Sequence, residues 1–146
     1  MSFAIVIERL LGQWVELKTH FELVRANEKC YMADVLYQMY CDPQNRLYFL
    51  FLRPILNETQ RVNKAFESSN QDPVKLLSDL TLLIKSLYSK ITIPTAQIDS
   101  LVTSLDDFID SKAYLGYEFE TEIVRANLPC NQAKEFVKGA LNLFKY

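Results

Sequence analysis

The chain has 146 residues, of which 49% are hydrophobic and 23% charged, with only three glycines and five prolines. This is ordinary globular composition, and the length predicts one domain over residues 1–146 that buries roughly two thirds of its unfolded surface. A net charge of −2 argues against the basic footprint of an autonomous nucleic-acid-binding domain, and the scarcity of turn residues disfavours an all-β fold.

The first forty residues predict two helices. Apolar residues recur at steps of three and four over residues 2–27, with a bend at Gly12, because glycine weakens a helix interior. Residues 28–41 form the second helix, which ends before Pro43. The residues that we expect to face inward are Ile5, Leu10, Leu11, Trp14, Leu17, Phe21 and Val24 in the first helix, and Tyr31, Val35, Leu36, Met39 and Tyr40 in the second.

A third, longer helix is predicted from Pro43 to about Ser69. Its residues 47–52 are apolar without interruption, which indicates a helix buried in a bundle rather than a surface for a partner. Pro54 lies inside this helix and predicts a kink, because proline cannot donate a backbone hydrogen bond. Residues 57–65 are more polar, and we expect them to be more exposed.

Residues 73–91 predict a fourth helix, with Asp72 as its N-cap and Pro73 as its first residue. Its apolar stripe is Leu76, Leu80, Leu83, Leu87 and Ile91, widened by Leu77 and Ile84. Residues 111–116 read as a turn. Further helices are predicted over residues 98–109, 117–126 and 129–144, so the expected fold is all-α, an irregular bundle of about five to seven helices.

The cysteines and the apolar runs indicate where the protein resides. Cys30, Cys41 and Cys130 form no CxxC pair, so we expect reduced thiols in the cytosol or nucleus rather than a structural zinc site. The N-terminal run lacks the basic region of a secretory signal. No apolar run reaches the ~18 residues of a membrane span, so no membrane association is expected.

Residues that could carry chemistry form no convincing set. His20 with Cys30 and Cys41 lacks regular spacing and a fourth ligand for a metal. Phosphate loops, dinucleotide fingerprints and nucleophile elbows are absent from the sequence. The densest acidic cluster could hold Mg²⁺ as two-metal nucleases do, but a solvated helix face explains it better; its members are Asp106, Asp107 and Asp110. We therefore expect no catalytic residue, no metal and no cofactor.

Arg53, Arg61 and Lys64 are the best basic set. At about 100° per residue, Arg53 and Lys64 project within roughly 20° of each other and Arg61 some 60° away. They are candidates for phosphate contact in a larger assembly. Solvated surface charges are the alternative, because Glu58 and Glu67 dilute their field.

In chain order, the segments at residues 7–21, 28–56, 72–94 and 112–120 resemble the helical domain that is inserted into the catalytic core of hAT-superfamily transposases and their domesticated relatives. The resemblance starts with IERLLGQWVELKTHF (residues 7–21), a stretch that follows an Arg-Trp-x-Ser signature in the family. Ser2 stands at the matching distance for the serine of that signature, although the Arg-Trp pair is absent. The resemblance continues through residues 28–56 and 72–94. It then covers residues 112–120 and the Leu128-Pro129 turn before the last predicted helix.

The resemblance implies a catalytically empty fragment. Complete transposases of this superfamily carry a zinc finger and an RNase H-like core with three metal-binding acids, and the second and third acids are expected upstream of residue 1 and downstream of residue 146. No acid of this chain inherits a catalytic role, so we expect no enzyme activity. The implied function is a scaffold that helps to position DNA ends, with DNA bound weakly or in a larger assembly, and the implied location is the nucleus.

Two alternatives stay open. A domain cut from a larger fold exposes the surface that once packed on the core, which predicts self-association or a protein partner. The expected patch joins the first and last helices through Phe3, Ile7, Leu11, Trp14, Phe136, Leu141 and Phe144. The other alternative is a relic reading frame without a selected function.

Overall fold

The computed structural model describes residues 3–67, 72–90, 92–93, 110, 113–129 and 135. Their regular structure is helical, and no β-strand occurs among them, so the predicted all-α fold is confirmed. The helices within these ranges are α1 (Phe3–Gly12), α2 (Trp14–Glu28), α3 (Tyr31–Cys41), α4 (Pro43–Phe66), α5 (Pro73–Ser89) and α6 (Tyr117–Arg125).

Helix α4 is the centre of this arrangement. It packs against α1, α3, α5 and α6, while α2 packs mainly against α3. The main core forms where α1, the start of α2, α4 and α6 meet. Its buried members are Ile7, Leu11, Trp14, Leu47, Leu50, Phe51, Leu52, Phe119 and Ile123. Four of these lie within residues 47–52, so the prediction that this run is buried is confirmed.

A break between α1 and α2 replaces the single helix predicted over residues 2–27. The backbone leaves helical geometry at Gln13, with φ −111° and ψ 22°. The bend was therefore predicted one residue too early, at Gly12 rather than Gln13. The structure shows an interruption between two helices there instead of a bend within one. Leu11, at the end of α1, and Trp14, at the start of α2, are both buried in the core on either side of this interruption.

Helices α2 and α3 form an antiparallel hairpin around a short turn. Lys29 adopts the left-handed conformation (φ 49°) between them, so α3 begins at Tyr31 rather than at the predicted residue 28. Aromatic rings line the hairpin: Tyr40 lies edge-on to Trp14, with centroids 4.6 Å apart, and stacks with Phe21 at 5.7 Å. Burial raises the pKa of Tyr40.

The same local device starts α4 and α5. The Gln44 backbone N–H donates to Asp42 Oδ1 at 2.9 Å, and the Val74 N–H donates to Asp72 Oδ1 at 3.0 Å. A proline follows each aspartate as the first helical residue, where its missing N–H costs nothing. The predicted cap at Asp72 is confirmed.

Helix α4 continues through Pro54 and ends at Phe66, three residues before the predicted end. The helix therefore tolerates the proline without terminating, and a kink at that point stays a prediction. Of the more polar second half, Val62 is buried and contributes to the interior.

Helix α6 follows Gly116, whose φ of 110° is accessible to glycine but strained for other residues. It spans nearly the predicted residues 117–126. Beyond it, Asn127 is left-handed (φ 51°), and the Leu128 N–H donates to the Ile123 carbonyl at 3.2 Å. This closes the C-terminal end of the helix in the manner of a Schellman motif.

Several apolar residues that were predicted to face inward are exposed. They are Ile5 in α1, Tyr31 and Met39 in α3, and Leu77 and Leu80 in α5. Only a narrow part of the surface of each of these helices contacts its neighbours. The apolar residues cover a wider part of that surface, so a prediction from their spacing overestimates how many are buried. In α3 the buried residue is the small Ala33, and in α5 it is Leu83.

Two predicted helices, residues 98–109 and 129–144, lie largely or wholly outside the described residues. Ile91, the last of the apolar residues predicted to face inward in residues 73–91, also lies outside them. None of the helices in the described ranges combines the length and the apolar content that a membrane crossing requires.

Candidate functional site

The predicted basic set is divided by the fold. The guanidinium of Arg53 pairs with the carboxylate of Glu118 on α6, and its side chain is 31% exposed. Arg61 and Lys64 are both exposed in the second half of α4. Arg53 therefore helps to attach α6, while Arg61 and Lys64 stay on the surface.

A second ion pair between α4 and α6 was not predicted. Arg46 Nε lies 3.4 Å from Glu122 Oε2, although this buried Nε makes no hydrogen bond to a described residue. Arg125 Nη1 approaches the same carboxylate oxygen at 3.9 Å. The guanidinium of Arg46 also lies 5.8 Å from the Trp14 ring centroid, a cation–π distance.

The spacing of these pairs explains their geometry. Arg46 and Arg53 are seven residues apart on α4, and Glu118 and Glu122 are four apart on α6. Seven and four residues are close to whole numbers of helical turns, so each pair of like charges lies on one face. The antiparallel approach of the two helices then matches them. The spacing is visible in the sequence, but the pairing of these two segments is not.

Glu58 connects α4 to α5. Its carboxylate accepts a hydrogen bond from the Ser86 hydroxyl at 3.0 Å and pairs with the ammonium of Lys90. Burial alone raises the pKa of Glu58, but the contacts with Lys90 and Ser86, together with the charge of nearby Arg61, outweigh it and lower the pKa. The cluster contains a hydroxyl, a carboxylate and an ammonium, yet each is engaged with another.

The α2–α3 hairpin carries its own polar network. Arg25 Nη1 lies 3.2 Å from Asp34 Oδ1, and its guanidinium lies 3.8 Å from the Tyr37 ring centroid. The Tyr37 hydroxyl donates to Glu22 at 3.3 Å. The neighbouring Cys41 side chain raises the pKa of Tyr37. These mutual contacts hold the hairpin together across its solvent side.

The residues considered for a metal are dispersed. Cys30 and Cys41 are exposed at opposite ends of α3, about 16 Å apart at 1.5 Å per residue. His20 is exposed on α2, with its ring beside that of Phe21. Within the ranges described above, no three His, Cys, Asp or Glu side chains gather as metal ligands would. Asp106 and Asp107 lie outside those ranges, and Asp110 is half-buried.

The predicted interaction patch is wrong for the first helix. Ile7, Leu11 and Trp14 belong to the core and offer nothing to a partner, whereas Phe3 is exposed. Their spacing predicted that Leu11 and Trp14 face inward, but it could not show that other helices of this chain already cover that face. Phe136, Leu141 and Phe144 lie outside the described residues.

A different apolar surface lies on the outer side of α5. We call it the α5 stripe, and it consists of the apolar Val74, Leu77 and Ile84 together with Thr81, whose hydroxyl donates to the Leu77 carbonyl at 2.8 Å. Leu77 is 66% exposed and Val74 is 76% exposed, while Ile84 is half-buried. These four residues are spaced by three, four and three positions, the spacing of a helix–helix seam.

The α5 stripe is distinct from the side of α5 that meets the core. Leu83 is buried, and Ser86 and Lys90 reach Glu58 on α4. At about 100° per residue, the centre of the stripe projects roughly 140° from Leu83 and about 160° from Ser86 and Lys90. Leu82, which is also exposed, projects about 120° from the stripe. Helix α5 thus carries apolar residues both on the side of Leu83 and on the side of the α5 stripe. Helices that pack against neighbours on two sides show this pattern.

Comparisons with protein-family models, with curated proteins and with solved structures gave no match for this chain. The resemblance to the hAT insertion domain therefore stays a hypothesis that rests on the sequence segments quoted above.

Proposed function

We propose that this chain is a non-catalytic helical scaffold domain, of the kind inserted in hAT-like transposases, that associates with another polypeptide through the α5 stripe. The observation that carries the proposal is the exposure of Val74 and Leu77 on a helix whose opposite side is already packed. Large exposed apolar side chains in a row are a feature of interaction surfaces. The three-four spacing favours a helix as the partner element.

Self-association is the form of this proposal that the purified chain can test. Sedimentation equilibrium across a wide concentration range should reveal association for the wild type. Leu77→Glu should abolish it, because a carboxylate in an apolar seam must be desolvated. Leu82→Glu is the matched control, since it places the same charge at an exposed leucine of the same helix but off the stripe.

Circular dichroism must first establish that both variants keep the helical content of the wild type. A wild type that stays monomeric at every concentration, or equal loss of association in the two variants, would contradict self-association through the α5 stripe.

A second candidate is contact with the DNA backbone in a larger assembly. Arg61 and Lys64, both exposed in the second half of α4, support it. Arg53 is not part of this proposal, because Glu118 already engages it. Backbone contact is electrostatic, so its affinity falls steeply with salt. Location in the nucleus, which the resemblance implies, belongs to this candidate as well.

The DNA candidate is tested with a charge-matched pair of double variants. The double variant Arg61→Glu with Lys64→Glu should weaken duplex binding in fluorescence anisotropy. The slope of log affinity against log salt concentration should become shallower by about two, because each lost phosphate contact removes ~0.9 from it. Lys75→Glu with Lys85→Glu changes the net charge equally but on α5. Equal weakening by both double variants would indicate a general charge effect and exclude a specific role for Arg61 and Lys64.

A further inference from the structure

We draw no further inference here: the strongest candidate, the apolar ridge of α3 formed by the exposed Met32 and Met39 with the half-buried Val35 and Leu36, carries nothing because nothing in the structure shows what covers it.

Discussion

Phe119 is 1% exposed and belongs to the core cluster that α6 shares with α1, α2 and α4. Removing its whole ring leaves a cavity that this close-packed site cannot refill. We expect Phe119→Ala to lower the free energy of unfolding by about 3–5 kcal/mol. Urea unfolding followed by circular dichroism measures this change. Val124→Ala, on the exposed side of the same helix, should stay within about 0.5 kcal/mol of the wild type.

Glu58 gives stability a specific pH dependence. Its pKa is lowered in the folded state, so its ionised form is favoured by folding. The contribution is therefore present above the unfolded-state pKa of about 4.3 and is lost as the pH falls through the lower folded-state value. We expect the wild type to be more stable than Glu58→Gln at pH 7 and to lose this advantage in acid.

Urea unfolding of both proteins from neutral pH to pH 3 tests the role of Glu58. A difference in unfolding free energy that stays constant over the whole range would show that the carboxylate contributes only through its shape. Lys90→Met made in both backgrounds completes a double-mutant cycle and isolates the contact between Glu58 and Lys90.

At the scale of elements, two ion pairs fix how α6 lies on α4. Because Arg53 and Glu118 remain partly exposed, their pair contributes about 0.2–1 kcal/mol. Arg53→Glu should destabilise the domain by repulsion, and the added change Glu118→Arg should restore most of the loss. Unfolding at low and high salt checks this, since salt screens an exposed pair. No recovery in the double variant would contradict the pairing.

The helix starts offer a prediction that depends on local structure alone. Asp72→Ala removes the acceptor of the Val74 N–H and should cost about 1 kcal/mol of unfolding free energy. Asp72→Asn keeps an acceptor oxygen at the same place and should cost much less. Thermal unfolding ranks the two variants, and equal losses would indicate that the charge of Asp72 rather than its hydrogen bond stabilises α5.

Such local features are what the sequence could predict. The Asp-Pro cap at Asp72, the buried run over residues 47–52 and the range of α6 follow from spacing and capping chemistry. The interaction patch could not be predicted, because the burial of Ile7 and Trp14 depends on how α1 and the start of α2 pack against α4, and local spacing does not reveal that packing. The engagement of Arg53 by Glu118 is hidden for the same reason.

At the scale of the whole molecule, Trp14 reports on the shared core. It is the one tryptophan of the chain, it is buried, and Tyr40, Phe49 and Arg46 surround its ring. Its emission should be blue-shifted in the native state and shift red on unfolding. If residues 1–146 form one domain, as their length predicts, this transition should coincide with the loss of helical circular dichroism. Two separate transitions would contradict a single domain.

Pro54 separates two parts of α4 whose charged residues pair with different helices. Before it, Arg46 and Arg53 engage α6; after it, Glu58 engages α5. Because proline has no N–H, the Leu50 carbonyl lacks the donor that a residue four positions later usually supplies. The series of backbone hydrogen bonds is therefore interrupted between the part of α4 that contacts α6 and the part that contacts α5. We therefore expect amide hydrogens after Pro54 to exchange with deuterium sooner than those before it. Such a difference would mean that α5 detaches by local unfolding while the contact between α4 and α6 persists.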